Sequence, residues 1–267
     1  MLTIEQRALE IARFLAKPYE FCLARLKQGF GYLHGQVAQD WRNANPKTDD
    51  EILEWYRNTE AYIWELSAYH LDPGFNYEGM LTGVSESLRA KGVQMVLCLG
   101  DGIGDLTLRL AMDGFVPTYH DLAASQTAFF ALNRLIDNTE WRDLDIWGIP
   151  VNKRQRHGRR FSYTVAHSLT SGWEPDGAFT HAPFDAVVSL DFLEHVTHVE
   201  AWVRAIYAAL RPGGWLMAQN AFACGSGENG SMPMHLARND RFEKDWDPLL
   251  LAVGFRQESS NWYQKPL

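Results

Sequence analysis

The sequence predicts an α/β protein, a mostly parallel sheet covered by helices on both faces, preceded by an all-helical segment. From residue 94 onward, short apolar runs alternate with amphipathic stretches, the grammar of βαβ units. The first of these runs, VQMVLCLG, closes on glycine, as buried parallel strands do. Before residue 92, apolar residues recur at helical spacing. The chain therefore divides into residues 1–92 and 93–267.

In residues 3–16, Ile4, Ala8, Leu9, Ile11, Ala12 and Leu15 lie on one helical stripe, which Pro18 interrupts. RNANPKTDD (42–50) reads as a loop. Thr48 and Glu51 fit a capping box. The helix behind it carries Ile52, Leu53, Tyr56, Ile63 and Leu66 and stops near Asp72-Pro73-Gly74. Another helix spans about Tyr77 to Ala90 and ends at Gly92. In the second region the order is strand, helix from Ile103 to Met112, FVPTYHD as strand, SQTAFFALNRLID as helix, FSYTVAH and FDAVVSLD as strands. VEAWVRAIYAAL as helix, a PGG stop, WLMAQNAF as strand, a helix over 241–252 and a closing pair of strands follow. Residues 138–160 fit the alternation poorly and read as an insertion with a basic run at 153–160.

The chain has 267 residues and a net charge of −8, a balance that argues against nucleic-acid binding, which needs basic side chains on phosphates. Three distant cysteines and no CxxC fit a reducing, cytoplasmic compartment without disulfides. The N-terminus lacks the apolar core of a signal peptide, and no apolar stretch is long enough for a membrane span.

In Leu99-Gly100-Asp101-Gly102-Ile103-Gly104 a strand runs into G-x-G-x-G and then a helix. Glycines permit tight angles and close ligand approach, and the helix N-terminus offers free N–H groups. The next strand ends at Asp121, where a carboxylate can accept ribose hydroxyls; a cap for the following helix is the other reading. The third glycine comes one residue early for a dinucleotide fingerprint, and Asp101 and Asp105 would repel a diphosphate. A sulfonium tolerates them.

VLCLGDGIGDLTLRL resembles motif I of the class I S-adenosylmethionine-dependent methyltransferases. YHDL, FDAVVSLDFLEHV and LRPGGWLMAQNAF resemble their later motifs in order, so the resemblance covers roughly residues 94–265. It implies a Rossmann-like, mostly parallel seven-stranded sheet, S-adenosylmethionine as cofactor and S-adenosylhomocysteine as product. It also implies Leu99, Gly100, Asp101, Gly102 and Gly104 under the cofactor, Asp121 and Leu122 at its ribose, and Asp191 and Phe192 beside it. One departure is Cys98, which stands where the family usually has an acid two residues before the first glycine. Asp101 is the substitute contact for the methionine ammonium.

Methyl transfer needs the acceptor held in line and close, with a base only when the nucleophile is protonated. His195 and Glu194, at the end of the fourth expected strand, are candidates for base or acceptor orientation. His235 approaches from the loop after the fifth. Tyr56 and Tyr62 stand in EWYRNTEAYIWELSAYH with Trp64 and Tyr69, at spacings that do not share one face; some must be core, while others line or close the acceptor site. Thr197 and Glu200 fit a capping box for the next helix. Asp191-x-x-Glu194-His195 admits a divalent metal, but the E-H pair also occurs in metal-free relatives, so metal is not favoured. The expected function is methyl transfer to a small-molecule acceptor between the sheet edge and an N-terminal helical cap, with no membrane partner and a homodimer compatible with it. The alternatives are an RNA methyltransferase using residues 153–160 and a non-catalytic cofactor-binding module.

Overall fold

A computed structural model describes residues 3–138, 140–141, 164–170, 175, 179, 183–227 and 230–267. The basic run at 153–160 lies outside the described residues. Among those described, eight strands form one sheet: β1 (Met95–Leu99), β2 (Val116–Leu122), β3 (Glu140–Trp141), β4 (Thr164–Thr170), β5 (Phe184–Leu190), β6 (Leu210–Gln219), β7 (Arg256–Ser259) and β8 (Trp262–Gln264). The order is β3-β4-β2-β1-β5-β6-β8-β7. The pairs from β3 to β6 are parallel, and β8 pairs antiparallel with both β6 and β7. The expected seven strands become eight because β3, two residues long, adds an edge strand within the segment read as an insertion. From β1 the chain builds outward through β2 and β4, then returns to start β5 on the other side. This reversal places a crevice at the carboxyl ends of β1, β2 and β5.

The strands of the sheet centre alternate between two cores. Leu97, Val187 and Leu216 pack with Trp202, Val203, Ile206 and Leu250, which belong to α9 (Val199–Ala209) and α10 (Phe242–Val253). Val96, Cys98, Ala186 and Val188 point the other way, against α6 (Tyr77–Ala90) and α7 (Asp105–Met112). Cys98 is thus a small core side chain under two helices. α8 (Gln126–Asn138) joins β2 to the β3–β4 side.

The N-terminal region forms α1 (Ile4–Leu15), α2 (Tyr19–Leu26), α3 (Phe30–Ala44), α4 (Asp49–Asn58) and α5 (Ala61–Leu71) ahead of α6. The expected capping box holds: the Thr48 hydroxyl accepts from the Glu51 N–H, and the Glu51 carboxylate accepts from the Thr48 N–H. The single helix expected to reach Asp72 is two. Thr59 adopts an extended conformation, donates its hydroxyl to Asp40 (2.7 Å) and accepts from the Ala61 N–H. A side chain that satisfies the next helix's free N–H competes with helix continuation. The capping box expected at Thr197 is absent. α9 begins one residue later, with His198 at the N-cap, so Glu200 falls out of register and instead pairs with Arg241. The PGG segment does not precede β6 but lies inside it. Among the described residues no helix is long and apolar enough to cross a membrane.

Ile103 and Phe130 join Ile11, Leu33, Ile63 and Trp64 in one core, so α1, α3 and α5 rest on the glycine turn and α8. Val37, Trp41, Ile52 and Trp55 join Met234 and Leu236 in another, so α3 and α4 also rest on the loop after β6. These helices consequently pack beside the glycine turn that follows β1 and the loop that follows β6.

Candidate active site

Each glycine of the turn has positive φ: +66° at Gly100, +53° at Gly102 and +81° at Gly104. A Cβ on Gly100 would fall 2.2 Å from the Phe192 ring, and one on Gly102 would meet Leu66 at 2.8 Å. The turn is therefore closed both to side chains and to other backbone conformations. Asp121 accepts from the Gly102 N–H (2.7 Å) and from the Leu122 N–H (2.7 Å), locking the end of β2 to the turn. Burial pushes its carboxyl up to about 6.

Asp101 accepts from the N–H groups of Leu106 (3.1 Å) and Thr107 (2.8 Å), capping α7 from within the turn. Burial raises it to about 7. Asp105 does not face the ligand crevice, which corrects the charge argument made from its position after the third glycine. It accepts from Arg7, Arg134 and His70. Despite burial, the two guanidinium groups hold its carboxyl well below the usual range.

A chamber of about 440 Å³ opens from this turn beneath the N-terminal helices. Leu99, Gly100, Asp101, Gly102, Asp121, Leu122, Asp191 and Phe192 line it at the sheet; Gly104 does not, because it packs against Ala131 behind the turn. At the other end stand Tyr56, Tyr62, Glu194, His195 and His235. Of the aromatic segment, Tyr56, Tyr62 and Tyr69 reach the chamber while Trp64 is core. Five carboxyl side chains line the chamber, Glu65, Asp101, Asp121, Asp191 and Glu194, and among the described residues no lysine or arginine does.

Asp191 follows β5 in the left-handed region, at φ +49°, and turns the chain into the one-turn 3-10 helix Leu193–His195. Asn239 fixes this turn, donating to the carbonyls of Glu194 (3.1 Å) and Val196 (2.7 Å). Glu194 is 1% exposed. One carboxylate oxygen, Oε1, accepts from the Ala221 N–H (2.9 Å), while Oε2 is buried without a protein partner. Burial, then the neighbouring Asp191, raises Glu194 to about 8. The Tyr56 hydroxyl lies 2.8 Å from His195 Nδ1 and donates to the Met234 carbonyl (3.0 Å). Burial lowers both His195 and His235, the latter to about 4, so both imidazoles are neutral. Burial also raises the phenols of Tyr56 and Tyr62.

Sequence reading missed the His34–Glu65 pair (2.7 Å) and His70, stacked on Tyr77 at 3.6 Å, all four of which line the chamber. His34 lies on α3, for which no helical pattern was read. Glu65 sits among aromatics in α5, and nothing in its spacing singles it out.

With this geometry established, the chain's relatives define its class. It belongs to the methyltransferase domain family, whose model matches residues 100–252. This bears out the resemblance to the class I S-adenosylmethionine-dependent methyltransferases. No curated protein matches the sequence. An O-methyltransferase family protein from Burkholderia thailandensis shares the fold, with a TM-score of 0.54 at 14% identity over 82% of this chain and 63% of that one. The chain thus spans less than two thirds of that relative's length. The N-methyltransferase NodS from Bradyrhizobium japonicum, solved in complex with S-adenosyl-L-homocysteine, aligns with a TM-score of 0.49 at 16% identity, over 80% of this chain and 97% of that one.

Proposed function

We propose that the protein transfers a methyl group from S-adenosylmethionine to a small-molecule acceptor bound in the chamber beside the glycine turn. The observation that carries this reading is the chamber's lining, carboxyl-rich and free of lysine and arginine among the described residues. A diphosphate would find no lysine or arginine among those residues to offset its charge. A sulfonium with an ammonium group supplies the positive charge that this lining lacks.

The adenosyl end fits the sheet side, with Gly100 and Gly102 beneath the cofactor, Asp121 and Leu122 at the ribose, and Phe192 and Asp191 alongside. Asp101 is the candidate for the methionine ammonium, since a carboxylate that caps a helix keeps further lone pairs. Residues 93–267 would then be the cofactor-binding domain. Residues 1–92 would be a cap that supplies Tyr56, Tyr62 and Tyr69 to the acceptor and excludes water during transfer. A neutral His195 suits a base or an orienting acceptor for a hydroxyl or amine proton. Three free cysteines fit a reducing, cytoplasmic setting.

The test is calorimetric titration with S-adenosylhomocysteine. Binding to the wild type and a marked loss in Asp121→Ala are expected. Unchanged affinity in the variant would remove the ribose assignment, and no binding to the wild type would remove the cofactor reading.

A further inference from the structure

We propose that Glu194, His195 and His235 form a binding site for one divalent first-row transition-metal ion, facing the chamber with open coordination positions. One ligand atom from each residue lies within 4.8 Å of the other two. The set differs from the one the sequence spacing suggests: His235 joins from a loop forty residues downstream, and Asp191 is not in the cluster.

The hydrogen bonds around the three side chains prepare them as ligands. Ala221 holds two of them with one residue's backbone. Its N–H donates to Glu194 Oε1, and its carbonyl lies 3.2 Å from His235 Nδ1. A carbonyl only accepts, so His235 carries its proton on Nδ1 and presents a bare Nε2. The Tyr56 hydroxyl has a single proton, given to the Met234 carbonyl. It therefore accepts from His195 Nδ1, and His195 Nε2 is bare as well. Histidines that bind metals fix their tautomer in this way, through a hydrogen bond from the other ring nitrogen. Glu194, the third residue, has its Oε2 buried with no protein partner, a placement whose cost a cation removes.

Two imidazoles and one carboxylate suit zinc, manganese, iron or cobalt rather than calcium. Bonds of about 2.0–2.2 Å in tetrahedral geometry place ligand atoms about 3.4 Å apart, so the ion would draw these side chains together slightly. Three protein ligands leave at least one position toward the chamber, where an acceptor oxygen or water can bind.

The test uses the full-length protein stripped with a chelator and titrated with Zn²⁺ by calorimetry, and with Co²⁺ by visible absorption. One ion per chain is expected, with histidine-type Co²⁺ bands. Glu194→Gln and His235→Ala should each weaken Zn²⁺ binding by more than about tenfold, and Tyr56→Phe should weaken it less. Circular dichroism and S-adenosylhomocysteine titration of the same preparations verify that the variants fold. The proposal is overturned if the wild type takes up neither ion, or if folded Glu194→Gln and His235→Ala bind Zn²⁺ as tightly as the wild type. Zn²⁺ binding without S-adenosylhomocysteine binding would support the metal site while removing the cofactor reading, so the two fail separately.

Discussion

Arg7 reaches across 98 residues of sequence to Asp105, donating to both carboxylate oxygens at 2.9 and 2.8 Å. The guanidinium is 1% exposed, and Arg134 closes the same carboxylate from the other side at 2.6 Å. Glu10 bridges the two arginines. A charge cluster of this kind ties α1 and α8 to the first residue of α7, immediately behind the glycine turn.

Asp105→Asn should destabilise the protein by about 3–5 kcal/mol, because it strands two buried guanidinium groups with only Glu10 to offset them. The pH dependence follows from the depressed carboxyl. Asp105 contributes stability that is present above its unfolded value of 3.8 and is lost as pH falls through its lower folded value. Urea unfolding at a series of pH values should show a wild-type acid loss that is smaller in Asp105→Asn. Equal acid sensitivity in both would contradict the pairing.

Gly100→Ala should cost about 1–3 kcal/mol in stability and abolish S-adenosylhomocysteine binding, since its Cβ meets the Phe192 ring at a positive-φ position. Adding Phe192→Ala removes the clash but not the backbone strain. The double variant should therefore recover part of the stability, and calorimetry on the set reads the coupling.

On the proposed ribose role of Asp121, cofactor affinity should weaken as pH falls through about 6, because protonating that carboxyl removes an acceptor for the hydroxyls. A one-proton linkage gives at most about tenfold per pH unit. For the ligand-free fold the sign reverses: a raised carboxyl favours the folded state at low pH, and that advantage is lost as pH rises through about 6. Asp121→Asn should bind more weakly at neutral pH and lose this component of the pH profile, as titrations between about pH 5 and 8 would show.

Tyr56→Phe should destabilise by about 1–3 kcal/mol, leaving the Met234 carbonyl and His195 Nδ1 without their shared partner. Nitrogen-15 NMR of the histidines should show a defined Nδ1–H tautomer at His195 in the wild type and a mixture in the variant. The same tautomer populations in both would mean that Tyr56 does not set it.

What could be read from the sequence was what depends on neighbours in the chain. The strand–glycine–helix turn, the carboxylate ending β2 and the capping box at Thr48 are local devices. The break between α4 and α5 escaped because it depends on Asp40, nineteen residues earlier. Asp105 was misread because its counter-charges lie in α1 and α8. Asp101 gave the residue but not its use, since nothing in D-G-I-G-D says that the first carboxylate folds back onto Leu106 and Thr107. His235 could be suspected of approaching the pocket, but its junction with Glu194 through the backbone of Ala221 is a product of tertiary folding.

The shared walls of the chamber limit how this protein could be re-engineered. A chimera that grafts residues 93–267 onto a foreign N-terminal segment would inherit Asp105 without Arg7 and the sheet side of the chamber without the tyrosines that line it. If the tyrosines serve the acceptor as proposed, replacing that role means transplanting them together with the arginine anchor, so that specificity and stability would travel in one exchangeable piece.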